Sequence, residues 1–205
     1  MINDYNNKNS ATDQSIIQTE SNVNESFFNE KNTDTSKIDS VQPPLDRVSE
    51  RITKKPFGIF VTPKNSPVSP EKFQGYHVGT DLEIFSDEVD ADVVIKTICA
   101  GDLALKKTAS GYGGVAVQNC VLENNLTTVV HGHLRFSSMR ANVGDSLKTG
   151  ENLGVLGKAY GSETNGERKH LHLGVHRGAE IDIRGYVQKE KDLINWIDPC
   201  DFFCN

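Results

Sequence analysis

The segment "KHLHLGVHR", Lys169 to Arg177, decides how the rest of the chain is read. In it Leu171, Leu173 and Val175 alternate with His170, His172, Gly174 and His176. Successive side chains of a strand point to opposite faces, so the alternation predicts a β-strand with one apolar and one imidazole-lined face. The first face reads as core. The second raises the question of whether its histidines do chemistry.

Outward from this strand, the chain from about Arg51 onward is a series of short β-type runs punctuated by Gly, Pro and Asn. Strands are expected in "FGIFVT" (57–62), "GYHVGTDLEIF" (75–85), "DVVIKTICA" (92–100) and "LALKKT" (103–108). Further ones are expected in "GGVAVQNCV" (113–121), "LTTVVHGHL" (126–134) and "LGVLGKAY" (153–160). "DLINWI" (192–197) is the one expected short helix, ahead of Pro199. This pattern predicts an all-β domain with mainly antiparallel sheets over residues 49–205. Residues 1–48 are rich in Asn, Ser, Thr, Asp, Glu and Gln and have only apolar pairs such as Ile16-Ile17. They bury too little apolar area to offset the entropy of ordering, so a disordered tail or linker is expected there.

The 28 acidic and 22 basic side chains are unevenly spread, since the first fifty residues hold nine of the acidic and four of the basic ones. The rest is nearly neutral and has no basic patch of the kind nucleic-acid binding needs. No apolar run is long enough to span a bilayer. The first forty residues lack the basic and apolar regions of a signal peptide, so the chain as it stands reads as soluble and without an export signal. The spacings of Cys99, Cys120, Cys200 and Cys204 match no zinc finger. A Cys99–Cys120 disulfide and a pair of buried thiols are both open, and Cys200 can meet Cys204 only if the chain turns back at its end.

Five of the six histidines fall in tight patterns: His77 with Asp81 in "HVGTD", His131 with His133 in "HGH", and His170 with His172 in "HLH". Even spacings on a strand put both members on one face. Imidazoles and a carboxylate on a shared face suit a borderline-soft divalent metal, and three protein ligands with an open fourth position is the catalytic arrangement of zinc. From the residues alone, a metal site on a β scaffold is the expectation. Glu83 shares the face of His77 and Asp81 and is a candidate outer carboxylate. Gly79 is expected to permit a bend or a close backbone approach.

His77-x-x-x-Asp81, then Gly132-His133-Leu134, then His170-Leu171-His172, in this order, resembles the lysostaphin-type zinc metallopeptidases. These are the peptidoglycan endopeptidases whose catalytic module is also called the LytM domain. "GYGGVAV" ahead of HGHL and "VGDSLKTGENLGVLG" after it resemble the family too, and the likeness spans roughly residues 57–199. The resemblance implies a lysostaphin-like barrel-sandwich and a single Zn²⁺ ion held by His77, Asp81 and His172. It implies His133 and His170 as the catalytic pair, with His170 taken as the base, His133 as the electrostatic partner, and the two roles exchangeable. The implied partner is a cell-wall peptide, and the implied location is extracytoplasmic, in tension with the missing signal peptide.

Two departures stand out. His131 occupies a position that is often Tyr in the family; by parity it shares the face of His133, which makes it a candidate for the cleft wall or an outer hydrogen bond. "GSETNGERKHLH" is longer and more charged than the usual Gly-rich approach to HLH, and is expected at the rim of the groove. His176, further along its strand, is expected to be structural. Two rival functions are a catalytically silent LytM-like binding domain and a non-haem Fe(II) oxygenase, whose sites also use two histidines and a carboxylate. The residues do not read out which peptide bond is cut.

Overall fold

The β-branched and alternating runs form twelve strands in a computed structural model that describes residues 41–204. They are β1 (Phe60–Val61), β2 (Gly75–His77), β3 (Gly79–Glu83), β4 (Val94–Lys96), β5 (Gly101–Ala109) and β6 (Gly113–Leu122). There follow β7 (Asn125–Leu134), β8 (Ser146–Leu147), β9 (Asn152–Val155), β10 (His170–Arg177), β11 (Tyr186–Val187) and β12 (Trp196–Ile197). One-turn helices α1 (Val48–Arg51) and α2 (Cys200–Phe203) stand near either end. Every pairing is antiparallel, as the alternation predicts.

The main sheet runs β12-β10-β7-β6-β5-β8, and β3 pairs with the same edge of β10 that β12 uses further along. Its apolar face is the one read from the sequence. Leu171, Leu173 and Val175 join Leu82, Ala116, Val129, Leu134 and Leu156 in the larger core. The opposite face is buried as well, because Val115, Val117 and Val130 pack with Val78, Tyr112, Val187 and Trp196 in a second cluster. The three-stranded sheet β1-β2-β11 belongs to this side. The imidazole floor therefore lies between two packed layers.

Several local expectations change. "DLINWI" is the end of a 3₁₀ segment, Glu190–Asn195, followed by β12. Trp196 turns inward there, 2% exposed, because its ring covers Gly174. β8 and β11 were not expected, since two residues carry no readable alternation. Packing against the β core extends ahead of residue 49. Leu45 and Val48 are buried in the larger core, and the backbone of Gln42 and Pro44 is hydrogen-bonded to Ile98 and Lys96. Residues 1–40 of the expected tail lie outside the described residues. Cys99 is joined to Cys120 and Cys200 to Cys204, the latter across the single turn of α2.

Candidate metal centre

Strand register builds the centre. On β10, His172 lies between Asp81 of β3 on one side and Gly132 of β7 on the other. His77 ends β2, and the chain crosses from the small sheet into the main one within the next two residues. Gly79 makes this crossing tight: a Cβ there would stand 2.8 Å from the His172 ring and collide with the Leu173 carbonyl. The expected close approach at Gly79 is thus real.

His77 Nε2, His172 Nδ1 and Asp81 Oδ1 converge. Their separations are 3.0 Å between the nitrogens, 3.2 Å from His77 to Asp81 and 3.1 Å from His172 to Asp81. Donor atoms around a tetrahedral zinc stand about 3.3 Å apart, given bonds of about 2.0–2.2 Å. The triangle fits the ion. So does its donor chemistry. His77 Nδ1 faces the Pro56 carbonyl at 3.2 Å, which places the ring proton there and leaves the Nε2 lone pair aimed into the triangle. Burial lowers the His172 pKa to about 4, so this imidazole is neutral at neutral pH. Burial alone raises the Asp81 carboxyl, but the surrounding imidazoles of His77, His170 and His172 hold it well below the usual carboxylate range. Two neutral imidazoles and one carboxylate are a set suited to zinc.

His133 and His170 meet beside this triangle with ring centroids 4.2 Å apart. The Nδ1 of His133 faces the Tyr112 carbonyl at 3.0 Å, and the Nδ1 of His170 faces the Arg168 carbonyl at 2.9 Å. In the tautomer that donates to its carbonyl, each ring leaves Nε2 as an acceptor. That of His170 lies 3.4 Å from Asp81 Oδ2. Burial, and then the neighbouring His170, push the pKa of His133 well down, which keeps it neutral.

His131 corrects the parity argument. A β-bulge intervenes, because Gly114 pairs with Leu134 while Val115 pairs with Gly132, leaving His133 as the extra residue, at φ 62°. The bulge turns His133 to the side of His172. His131 pairs with Leu173 and Ala116 and so faces the larger core, fully buried, with neither ring nitrogen hydrogen-bonded to protein. It does not line the cleft. Glu83 lies across from His170 and reaches the centre through Arg168. His176 packs edge-on against Trp196 at 4.8 Å and does not line the cleft.

The centre opens into a cleft of about 310 Å³, whose walls include residues that sequence reasoning passed over. Tyr112 stands between His133 and His172, 5.4 Å from each ring. In the sequence its "GYGG" context carries only the family resemblance and no role for the tyrosine. Tyr186 of β11 lies opposite His77 and accepts a 2.9 Å hydrogen bond from buried Lys55, which also pairs with Glu71. Arg168 comes from the charged loop before HLH, and that loop is pinned by Asn165, whose side-chain oxygen accepts from the Gly111 amide.

No family model and no curated protein matches the sequence. Solved structures do match. That of cbpa from L. salivarius REN is 17% identical with a TM-score of 0.52, covering 81% of this chain and 95% of that one. The catalytic domain of the antimicrobial peptidase lysostaphin from Staphylococcus simulans is 18% identical, TM-score 0.49, covering 73% of this chain and 90% of that one. LytU is also 18% identical with TM-score 0.49, covering 74% and 83%. At such identities the likeness is one of fold, and at that level the resemblance read from the motifs is borne out.

Proposed function

We propose that the chain is a zinc-dependent metalloendopeptidase acting on peptide bonds of bacterial peptidoglycan, in crosslinks or stem peptides. The observation that carries this reading is the convergence of His77 Nε2, Asp81 Oδ1 and His172 Nδ1 at 3.0–3.2 Å beside two further histidines in one cleft. Zinc in a three-ligand site supplies Lewis acidity, which acidifies water and polarises a carbonyl.

The chain's own groups supply the rest. His170 is the proton acceptor, because a proton arriving at its Nε2 is stabilised by Asp81 Oδ2 at 3.4 Å. The same atom then delivers the proton to the leaving amine. His133 is neutral with its lone pair toward the cleft, so it orients water by accepting a hydrogen bond. Acting instead as the expected electrostatic partner of an oxyanion requires an N–H at Nε2, and burial opposes a second ring proton. Tyr186, Phe73 and Tyr112 exclude solvent around the pair. Two disulfides and no free cysteine among the described residues support an extracytoplasmic setting.

Metal analysis of protein purified without added metal tests this. One zinc per chain, with digestion of purified peptidoglycan lost on chelation and restored by zinc, is the expected result. Stoichiometric iron with oxygen-dependent turnover would establish the oxygenase instead. Wall binding without digestion would establish a silent binding domain.

A further inference from the structure

The Arg168 guanidinium is almost enclosed, with its side chain only 10% exposed, and it touches two carboxylates. Its Nε donates to both oxygens of Glu83 at 2.9 and 3.0 Å, and its Nη2 donates to Glu83 Oε1 at 2.6 Å. The same Nη2 donates to Asp81 Oδ2 at 2.8 Å. This is the oxygen that faces away from the metal triangle, since Oδ1 is the one within 3.2 Å of His77 and His172.

We propose that Arg168, clamped by Glu83, is a positioning residue that assigns the two oxygens of Asp81: Oδ1 to the metal and Oδ2 to the protein. An aspartate has two soft side-chain torsions and can present either oxygen, or both, to a cation. A planar guanidinium held by a fork of hydrogen bonds has a fixed direction for its remaining N–H, which an ammonium lacks. With Oδ2 engaged, the carboxylate is a one-oxygen ligand, and the fourth position stays open for water and substrate. Glu83 also balances the Arg168 charge, with Lys54 at 3.3 Å on its outer side. The pair therefore adds little net repulsion toward a cation, and orientation governs its effect. The Arg168 carbonyl, in turn, holds His170 Nδ1 at 2.9 Å. Side-chain substitutions leave that backbone contact in place, so they separate the two influences of this one residue.

The inference rests on the zinc reading above, and the test keeps the two apart. Zinc affinity of the full chain is measured by competition with a chromophoric chelator, for the wild type, Arg168→Gln, Arg168→Lys, Glu83→Gln and the neutral pair Glu83→Gln/Arg168→Gln. Cobalt(II) is substituted in each to record its visible spectrum. Apo-protein folding is checked by circular dichroism, and Arg168→Lys and the double variant carry the test if Arg168→Gln does not fold. Arg168→Gln is expected to weaken zinc binding by about 10–100-fold, the usual effect of removing an outer partner of a ligand. Its cobalt bands should weaken as the carboxylate turns to bind through both oxygens, and Arg168→Lys should restore only part of either. Unchanged affinity and an unchanged cobalt spectrum in folded Arg168 variants would overturn the inference while leaving the metal site standing. A wild type that binds no zinc would overturn both.

Discussion

At Gly132 an added methyl group would collide with the Tyr112 ring and lie 3.2 Å from His172 Cβ. The glycine of HGH is thus a spacer that lets Tyr112 lie against β7 beside His172. Gly132→Ala is expected to cost about 1–3 kcal/mol through overpacking and to weaken zinc binding, measured by urea unfolding and chelator competition. His131 makes a different prediction. Its pKa falls to about 4 because burial penalises the charged ring. A histidine with a depressed folded pKa binds its proton more readily when unfolded. The penalty is absent above the unfolded pKa of about 6.5, grows as pH falls, and is complete below about 4. Replacing His131 by Leu should flatten the stability–pH curve in that window by up to about 1.4 kcal/mol per pH unit. An unchanged slope in denaturant unfolding would show that His131 is not buried neutral.

Among the elements, β10 was legible and β7 only in part. In β10 a strict alternation over eight residues leaves one solution, and Leu171, Leu173 and Val175 are all buried as that solution requires. Leu173→Ala should cost about 2–5 kcal/mol, read as a lower urea midpoint with an unchanged m-value. β7 has no such alternation, with Thr127-Thr128 and Val129-Val130 as adjacent pairs, and face parity fails after His131 because an extra residue is hidden in the bulge. A bulge has no composition of its own when its added residue is a histidine rather than glycine, so nothing in "HGHL" announces it. The candidate metal ligands escaped this problem, because His172 and Asp81 face each other in regular pairing and His77 ends the strand just before it. Arg168 and Tyr112 were missed for another reason. Each acts across strands from a loop or a strand start, and such placement follows from register rather than local spacing.

At the scale of the molecule, the centre joins parts of the chain 95 residues apart, from His77 in the small sheet to His172 in the main one. Metal binding should therefore stabilise the whole domain. Zinc at a hundred times its dissociation constant adds about 2.7 kcal/mol, and a chelator should lower Tm by several degrees in the wild type but not in His172→Ala. The central claim is that this joined site hydrolyses a peptide bond. Mass spectrometry of soluble fragments from purified peptidoglycan, treated with wild type or His170→Ala, tests it most directly. The expected result is paired new amino and carboxyl termini at one type of peptide bond with the wild type, and their near disappearance with the variant. Fragments without new peptide termini, or the same yield from both proteins, would contradict it.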